Sequence, residues 1–255
     1  VSIDKSHIRG DVTFEHVKFG YEDDKTLMND VSFTAKSGQM VALVGPTGAG
    51  KTTLMNLLLR FYDVDGGSIK IDGIDIRDMD REDLRSLFSL VLQDTWLFSG
   101  SIYDNIRYGR LGARKDEVVD AAKMANVHHF IQTLSHGYDS VINEEANNIS
   151  QGEKQLLTIA RAILKDPHIL VLDEATSSVD TRLERMLQDA MQKVMAGRTS
   201  FVIAHRLSTI RNADLILVIE DGDIVEQGTH ETLLAKKGVY EKLYNSQFAE
   251  KQLAE

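Results

Sequence analysis

Met40-Val41-Ala42-Leu43-Val44-Gly45-Pro46-Thr47-Gly48-Ala49-Gly50-Lys51-Thr52-Thr53 is the stretch on which the fold turns. Five apolar residues make a short buried strand. Gly45–Thr52 then matches G-x-x-x-x-G-K-[ST], and a helical pattern with Leu54, Leu57, Leu58 and Phe61 on one face begins at Lys51. From ordinary residue frequencies such a match arises by chance in about 1 in 100 chains of this length. Strand, glycine-rich turn and helix start are what a phosphate cradle needs. Successive backbone N–H groups and the helix N-terminus face the anion. Lys51 would neutralise the β/γ oxygens, and the Thr52 hydroxyl would ligate Mg²⁺. Gly45, Pro46, Thr47, Gly48, Ala49, Gly50, Lys51, Thr52 and Thr53 are therefore candidate nucleotide-binding residues.

Outward from this loop, strands are expected at Val12–Phe19, Val31–Ala35, Ser68–Asp72, Phe88–Leu92, Ile169–Leu172, Ser200–Ala204 and Leu215–Glu220. Helices are expected after the Asp80 cap, over about Leu183–Met195 and at the C-terminal end. Strands alternating with helices imply a parallel sheet covered by helices. The unbroken apolar run Ile169–Leu172 suits a central strand buried on both faces. Residues from about Glu82 to Lys165 read as mostly helical, a block set between two strands that forms a separate helical lobe.

The 255 residues suit one elaborated α/β domain with sub-lobes. A net charge of −10 argues against a general nucleic-acid or anionic-membrane binder, which needs a basic face. Without cysteine there is neither disulfide nor thiol chemistry. No apolar run approaches 18 residues, so nothing here reads as a membrane span. Beginning at Val1 without an initiator Met, the chain is expected to be part of a longer polypeptide.

Five further places can carry chemistry. Ile169-Leu170-Val171-Leu172-Asp173-Glu174 delivers two carboxylates at a strand end. Asp173 would hold the Mg²⁺ shell and Glu174 would orient or deprotonate an attacking water; the alternative is a pair of solvated acids. His205, after Ser200–Ala204, either reaches a γ-phosphate or is a structural histidine. Gln93, ending Phe88–Leu92, could touch Mg²⁺ or its water. Trp96, Leu97 and Phe98 beside it are either an apolar contact surface for a partner or packed within the lobe. Tyr21 lies two residues after Phe19, on the same face of a strand, and is either an adenine-stacking ring or an ordinary strand aromatic. Last, Asn148-Ile149-Ser150-Gln151-Gly152-Glu153-Lys154-Gln155 opens a helix with a capping box, Ser150 to Glu153. Behind it Leu156, Ile159, Ala160 and Ile163 form an apolar stripe. This is an anion seat built on Ser150, Gly152 and free backbone N–H groups, or simply a capped helix.

Together these residues resemble the nucleotide-binding domain of ATP-binding-cassette (ABC) transporters over essentially the whole chain. Tyr21 matches the adenine-stacking loop, Gly45–Thr52 Walker A, Gln93 the Q-loop, Ser150–Glu153 the signature, and Ile169–Glu174 Walker B. Ser177-Ser178-Val179-Asp180 matches the D-loop and His205 the switch histidine. Leu97 to Ile106 looks like the exporter subtype. The resemblance implies an α/β fold: a P-loop NTPase core with a parallel sheet, an N-terminal antiparallel β lobe and a helical lobe (about 82–165). It implies an ATPase using ATP and Mg²⁺, with Glu174, His205, Gln93 and Lys51 catalytic and Thr52, Gln93 and Asp173 at the metal. It also implies a head-to-tail dimer with a second nucleotide-binding domain, each ATP held between one Walker A loop and the other signature. An N-terminal transmembrane domain, whose coupling helices would meet the segment near Trp96–Phe98, would fix the chain to the cytoplasmic face of the cell membrane. Multidrug or lipid-like export fits the subtype; an importer ATPase is the alternative.

Two signature positions change chemical character against the usual L-S-G-G-Q, Gln151 for Gly and Glu153 for Gln. Either Gln or Glu closes the capping box, but Glu adds charge. A carboxylate about 6 Å from a phosphate charge, at an effective dielectric of about 20, is repelled by about 3 kcal/mol at most. Half of that weakens the seat about tenfold. Asn143-Glu144-Glu145-Ala146-Asn147-Asn148 also lacks the usual G-E-R-G. An intact Walker B glutamate beside an altered signature looks like one half of a heterodimeric exporter, an unlike partner completing the hydrolysing site.

Overall fold

The structure, a computed structural model, describes residues 2–94, 96–174 and 180–247. In chain order the strands are β1 (Val12–Phe19), β2 (Met28–Ala35), β3 (Met40–Val44), β4 (Gly66–Ile71), β5 (Ile74–Asp75), β6 (Phe88–Val91), β7 (Gly100–Ser101), β8 (Val141–Ile142), β9 (Ile169–Asp173), β10 (Thr199–Ile203), β11 (Leu215–Glu220) and β12 (Asp223–Gly228). The helices are α1 (Lys51–Leu58), α2 (Arg81–Ser86), α3 (Ile102–Arg107), α4 (Lys115–Met124), α5 (His128–Thr133), α6 (Gln151–Lys165), α7 (Thr181–Met195), α8 (Leu207–Asn212), α9 (His230–Lys236) and α10 (Val239–Gln247). They form two compact units, residues 1–88 with 198–255, and residues 89–197.

In the first unit an antiparallel sheet runs β2-β1-β4-β5, the N-terminal antiparallel lobe expected from the sequence. Phe14 of β1 lies opposite Phe33 of β2 with rings stacked 4.6 Å apart. A second set of strands runs β12-β11-β3-β10. β10 and β11 are both parallel to β3, Ile203 opposite Leu43 and Val218 opposite Val44, while β12 is the antiparallel edge. Core positions of β3 and β11 (Ala42, Val44, Ile216, Val218) pack with Leu233 and Tyr240 of the C-terminal helices. Helix α1 is shorter than its pattern predicted. It ends at Leu58 because Arg60 adopts a left-handed φ of 56°, leaving Phe61 outside the helix and exposed.

The second unit holds β9 beside β6 and the short pair β7-β8, Gly100 opposite Ile142. β9 is buried from Ile169 to Leu172, as its continuous apolar run requires. Helix α6 packs against α3, α4 and α7. Its buried surface is wider than the single predicted stripe: Leu157, Thr158, Ala162 and Leu164 are buried with Leu156, Ile159 and Ala160, whereas Ile163 is half-buried. The stretch 82–165 is helical but interrupted by β6, β7 and β8.

Candidate functional site

The phosphate-loop candidates lie in the first unit, at the C-terminal edge of β3. Gly45 (φ 158°), Gly48 (φ 80°) and Gly50 (φ 107°) turn the chain from strand to helix. Two of these positions also leave little room for a side chain. A Cβ on Gly45 would lie 2.3 Å from the Ile219 carbonyl oxygen, and one on Gly50 would lie 3.1 Å from Gly222 Cα. The loop rests on the turn between β11 and β12, where Gly222 N–H donates to the Ala49 carbonyl at 2.7 Å. Gly222 is itself left-handed (φ 86°), and a Cβ there would fall 2.1 Å from the Leu27 carbonyl oxygen.

Gly50 caps α1 with no side-chain hydrogen bond, and the first turn carries no acid. The α1 N-terminus therefore takes no cap from a side chain of Gly50, and it lies at the positive end of the helix dipole. Lys51 Nζ donates to the Gly45 carbonyl at 2.6 Å, so its ammonium lies along the loop. Tyr21 is not on a strand face as the spacing suggested. β1 ends at Phe19, and Tyr21 stands 52% exposed beyond it. Its hydroxyl is 2.8 Å from Thr53 Oγ1, and its ring meets Phe19 and Tyr62 edge-on at 5.0 and 5.1 Å. The base-stacking candidate and the phosphate helix are therefore joined directly.

His205 is half-buried, two residues past the end of β10. Because β10 is parallel to β3 and Ala204 N–H donates to the Leu43 carbonyl at 3.1 Å, His205 and Gly45 leave the same edge of adjacent strands. Carboxyl ends of parallel strands are where such sheets take ligands.

The remaining candidates belong to the second unit. Asp173 ends β9, and Glu174 follows it, only 3% exposed. Gln93 lies two residues beyond Val91, where β6 stops, and is exposed. The capping box at α6 forms as predicted. Ser150 Oγ accepts from Glu153 N–H at 3.3 Å, and Glu153 Oε2 accepts from Ser150 N–H at 3.1 Å. The Glu153 carboxylate thus points back along its own backbone. It also borders a cavity of about 410 Å³ with Leu156, Asp180 and Leu183. Gly152 is buried. In the loop before the signature, Asn147 donates from Nδ2 to Glu145 Oε2 at 2.7 Å, and Asn148 from Nδ2 to the Val141 carbonyl at 3.1 Å. Ser177, Ser178 and Val179 of the D-loop match fall outside the described residues; Asp180 caps α7 by accepting from Leu183 N–H at 2.9 Å. The two readings of Trp96-Leu97-Phe98 divide by residue: Trp96 is 60% exposed, Leu97 is buried at 8%.

Some contacts were not anticipated. Arg161 on α6 donates to the main chain of Trp96 and Asn105, and Gln151 Nε2 donates to the Gln93 carbonyl at 3.2 Å. Nothing in the apolar periodicity marks Arg161. In the sequence Gln151 stands out only as a departure from glycine.

Among the described residues no group of three or more His, Asp or Glu is arranged to hold a metal alone. Thr52, Asp173 and Gln93 offer hard oxygen donors, the chemistry Mg²⁺ takes when it arrives with phosphates and keeps waters.

A glycine-rich loop joining a parallel strand to an uncapped helix, with a histidine at the same sheet edge, defines a P-loop nucleotide-binding α/β domain. Comparison with known proteins narrows this. The ABC transporter family model matches residues 28–177. The chain belongs to the ABC transporter family. It is 55% identical over 234 residues to a fatty acid ABC transporter ATP-binding/permease protein of Mycobacterium tuberculosis, covering 92% of this chain and 37% of that protein. It is 48% identical over 254 residues to an ATP-dependent lipid A-core flippase of Syntrophus aciditrophicus, covering 100% of this chain and 42% of the flippase. A bacterial Atm1-family ABC exporter with ATP bound superposes with a TM-score of 0.87 at 43% identity, over 97% of this chain and 44% of the exporter. The chain thus spans about two-fifths of the length of these relatives.

Proposed function

We propose that this chain is the ATP-binding and ATP-hydrolysing motor domain of an ABC exporter, working as a dimer of nucleotide-binding domains coupled to a transmembrane domain. The single observation that carries the reading is the phosphate loop on β3, with α1 uncapped behind it and His205 at the same edge. ATP phosphates would take the α1 amides, and Lys51 would exchange the Gly45 carbonyl for a β/γ oxygen. Tyr21 would stack on adenine while its hydroxyl stays on Thr53. Thr52, Asp173 and Gln93 would hold Mg²⁺, which neutralises phosphate charge when bound. Glu174 would orient or deprotonate the attacking water, and His205 would respond to the γ-phosphate.

Ser150 and Gly152 would seat the nucleotide of the second domain. Relatives named as ATP-binding/permease proteins and flippases favour a fused exporter on the cytoplasmic face of a membrane over an importer subunit. The same names, fatty acid and lipid A-core, favour a lipid-like cargo over other drugs. The altered signature beside an intact Glu174 supports an unlike partner. The test is Glu174→Gln in the assembled transporter. A positioned base contributes about 10²–10⁴ in rate, so ATPase activity should fall by that factor; undiminished turnover removes Glu174 from the role.

A further inference from the structure

Helix α6 grips the segment from Gln93 to Tyr108 at two points. At its first turn, Gln151 Nε2 donates to the Gln93 carbonyl at 3.2 Å. Ten residues later, about 15 Å along the axis, Arg161 takes hold of the same segment. Its Nε donates to the Asn105 carbonyl at 2.8 Å, one terminal nitrogen to the Trp96 carbonyl at 2.9 Å, and the other to Asn105 Oδ1 at 3.2 Å. Asn105 is 1% exposed and completes the network. It accepts from Phe98 N–H and donates to the Phe98 and Ser101 carbonyls, each at 3.0 Å.

The Arg161 guanidinium carbon also lies 5.6 Å from the Tyr108 ring centroid and 5.9 Å from that of Trp96. Among the described residues no carboxylate pairs with it, and burial lowers its pKa. A half-buried cation whose fork is spent on carbonyl oxygens and ring faces is held for shape rather than for neutralisation. The helix and segment also touch where a side chain would not fit: a Cβ on Gly109 would lie 2.2 Å from the Arg161 carbonyl oxygen. On the outer side the segment presents Trp96 and Tyr108, 60% and 54% exposed.

We propose that Arg161, with Gln151 as its weaker companion, is a positioning residue that makes α6 and the Trp96–Tyr108 face one mechanical piece. Displacement of the Ser150–Gly152 end on meeting nucleotide is then delivered at that face. This rests on the exporter-motor reading above.

The test uses the full-length transporter in lipid vesicles. Amide hydrogen exchange across residues 97–108 is followed with and without Mg-ATP, alongside the ATP Kd. In the wild type, Mg-ATP slows exchange in this segment. Arg161→Lys keeps the charge and the stem but loses the fork. Exchange over 97–108 should rise about 10- to 100-fold and lose its response to Mg-ATP, with the Kd within about twofold. Tyr108→Leu, at an exposed position, removes one ring from the grip and should produce the same change at about threefold. It keeps the test decisive if Arg161→Lys does not fold. Variants that keep the wild-type response to Mg-ATP, or in which exchange rises equally with and without it, overturn the proposal. A wild-type transporter that binds no Mg-ATP overturns the motor reading and this inference with it.

Discussion

Helices α1 and α6 both begin at a loop that meets phosphate in the reading above, yet they are finished in opposite ways. α1 starts from a left-handed glycine with no side chain on its amides and no acid in its first turn. α6 starts from Ser150 locked to Glu153 in both directions. The first end has no side-chain cap, while the second satisfies two donors internally and adds a negative charge. A helix N-terminus is therefore not one kind of anion site. Strength depends on how much of the end the protein has already used itself, and on the proposed reading the loop in the first unit would be the strong seat and the signature the weak one.

The largest expected effect is at the strong end. Lys51→Ala removes a charge held against phosphate oxygens. At about 4 Å and an effective dielectric of about 20 this is worth about 4 kcal/mol, so ATP affinity measured by titration should fall by about 10³-fold. A fall smaller than that caused by a change at Ser150 would invert the comparison. Next is the floor of the loop. Gly222→Ala forces a Cβ against the Leu27 carbonyl at a left-handed φ. It should cost about 2–3 kcal/mol of stability, seen as a lowered denaturation midpoint. No change there would mean the loop stands without its support.

At the weak end, Glu153→Gln keeps the capping box and removes the charge. Occupancy of the partner's nucleotide site should rise by up to about tenfold. Unchanged occupancy would mean that the carboxylate, bonded to Ser150 N–H, exerts no field on the phosphate. The smallest effect is Ser150→Ala, which loses the cap at about 1 kcal/mol in urea unfolding.

Much of this comparison was legible in the sequence because it is local chemistry. The phosphate loop, β9 with its trailing acids, and the Ser150–Glu153 box depend on residues within a few positions of each other, and each forms where expected. What the sequence hid was non-local or unpatterned. β12 escaped because an edge strand of half-buried and exposed residues carries no clean alternation. The apolar pattern overruns the end of α1, since nothing in Arg60 announces a left-handed turn. The spacing of Tyr21 continues a strand that stops at Phe19, and its bond to Thr53 crosses from one element to another. Arg161 was invisible because its value lies in main-chain carbonyls of a distant segment, to which residue identity gives no clue.

The floor under the phosphate loop has a consequence for the making of the protein. Gly222 is synthesised long after Ala49, and at about 5–20 residues per second the interval between them is on the order of 10–30 s. Throughout that time the nascent loop has its glycines and its helix but not the hairpin that Gly222 brings to the Ala49 carbonyl. The loop therefore gains this support only once the residues through Gly222 have left the ribosome.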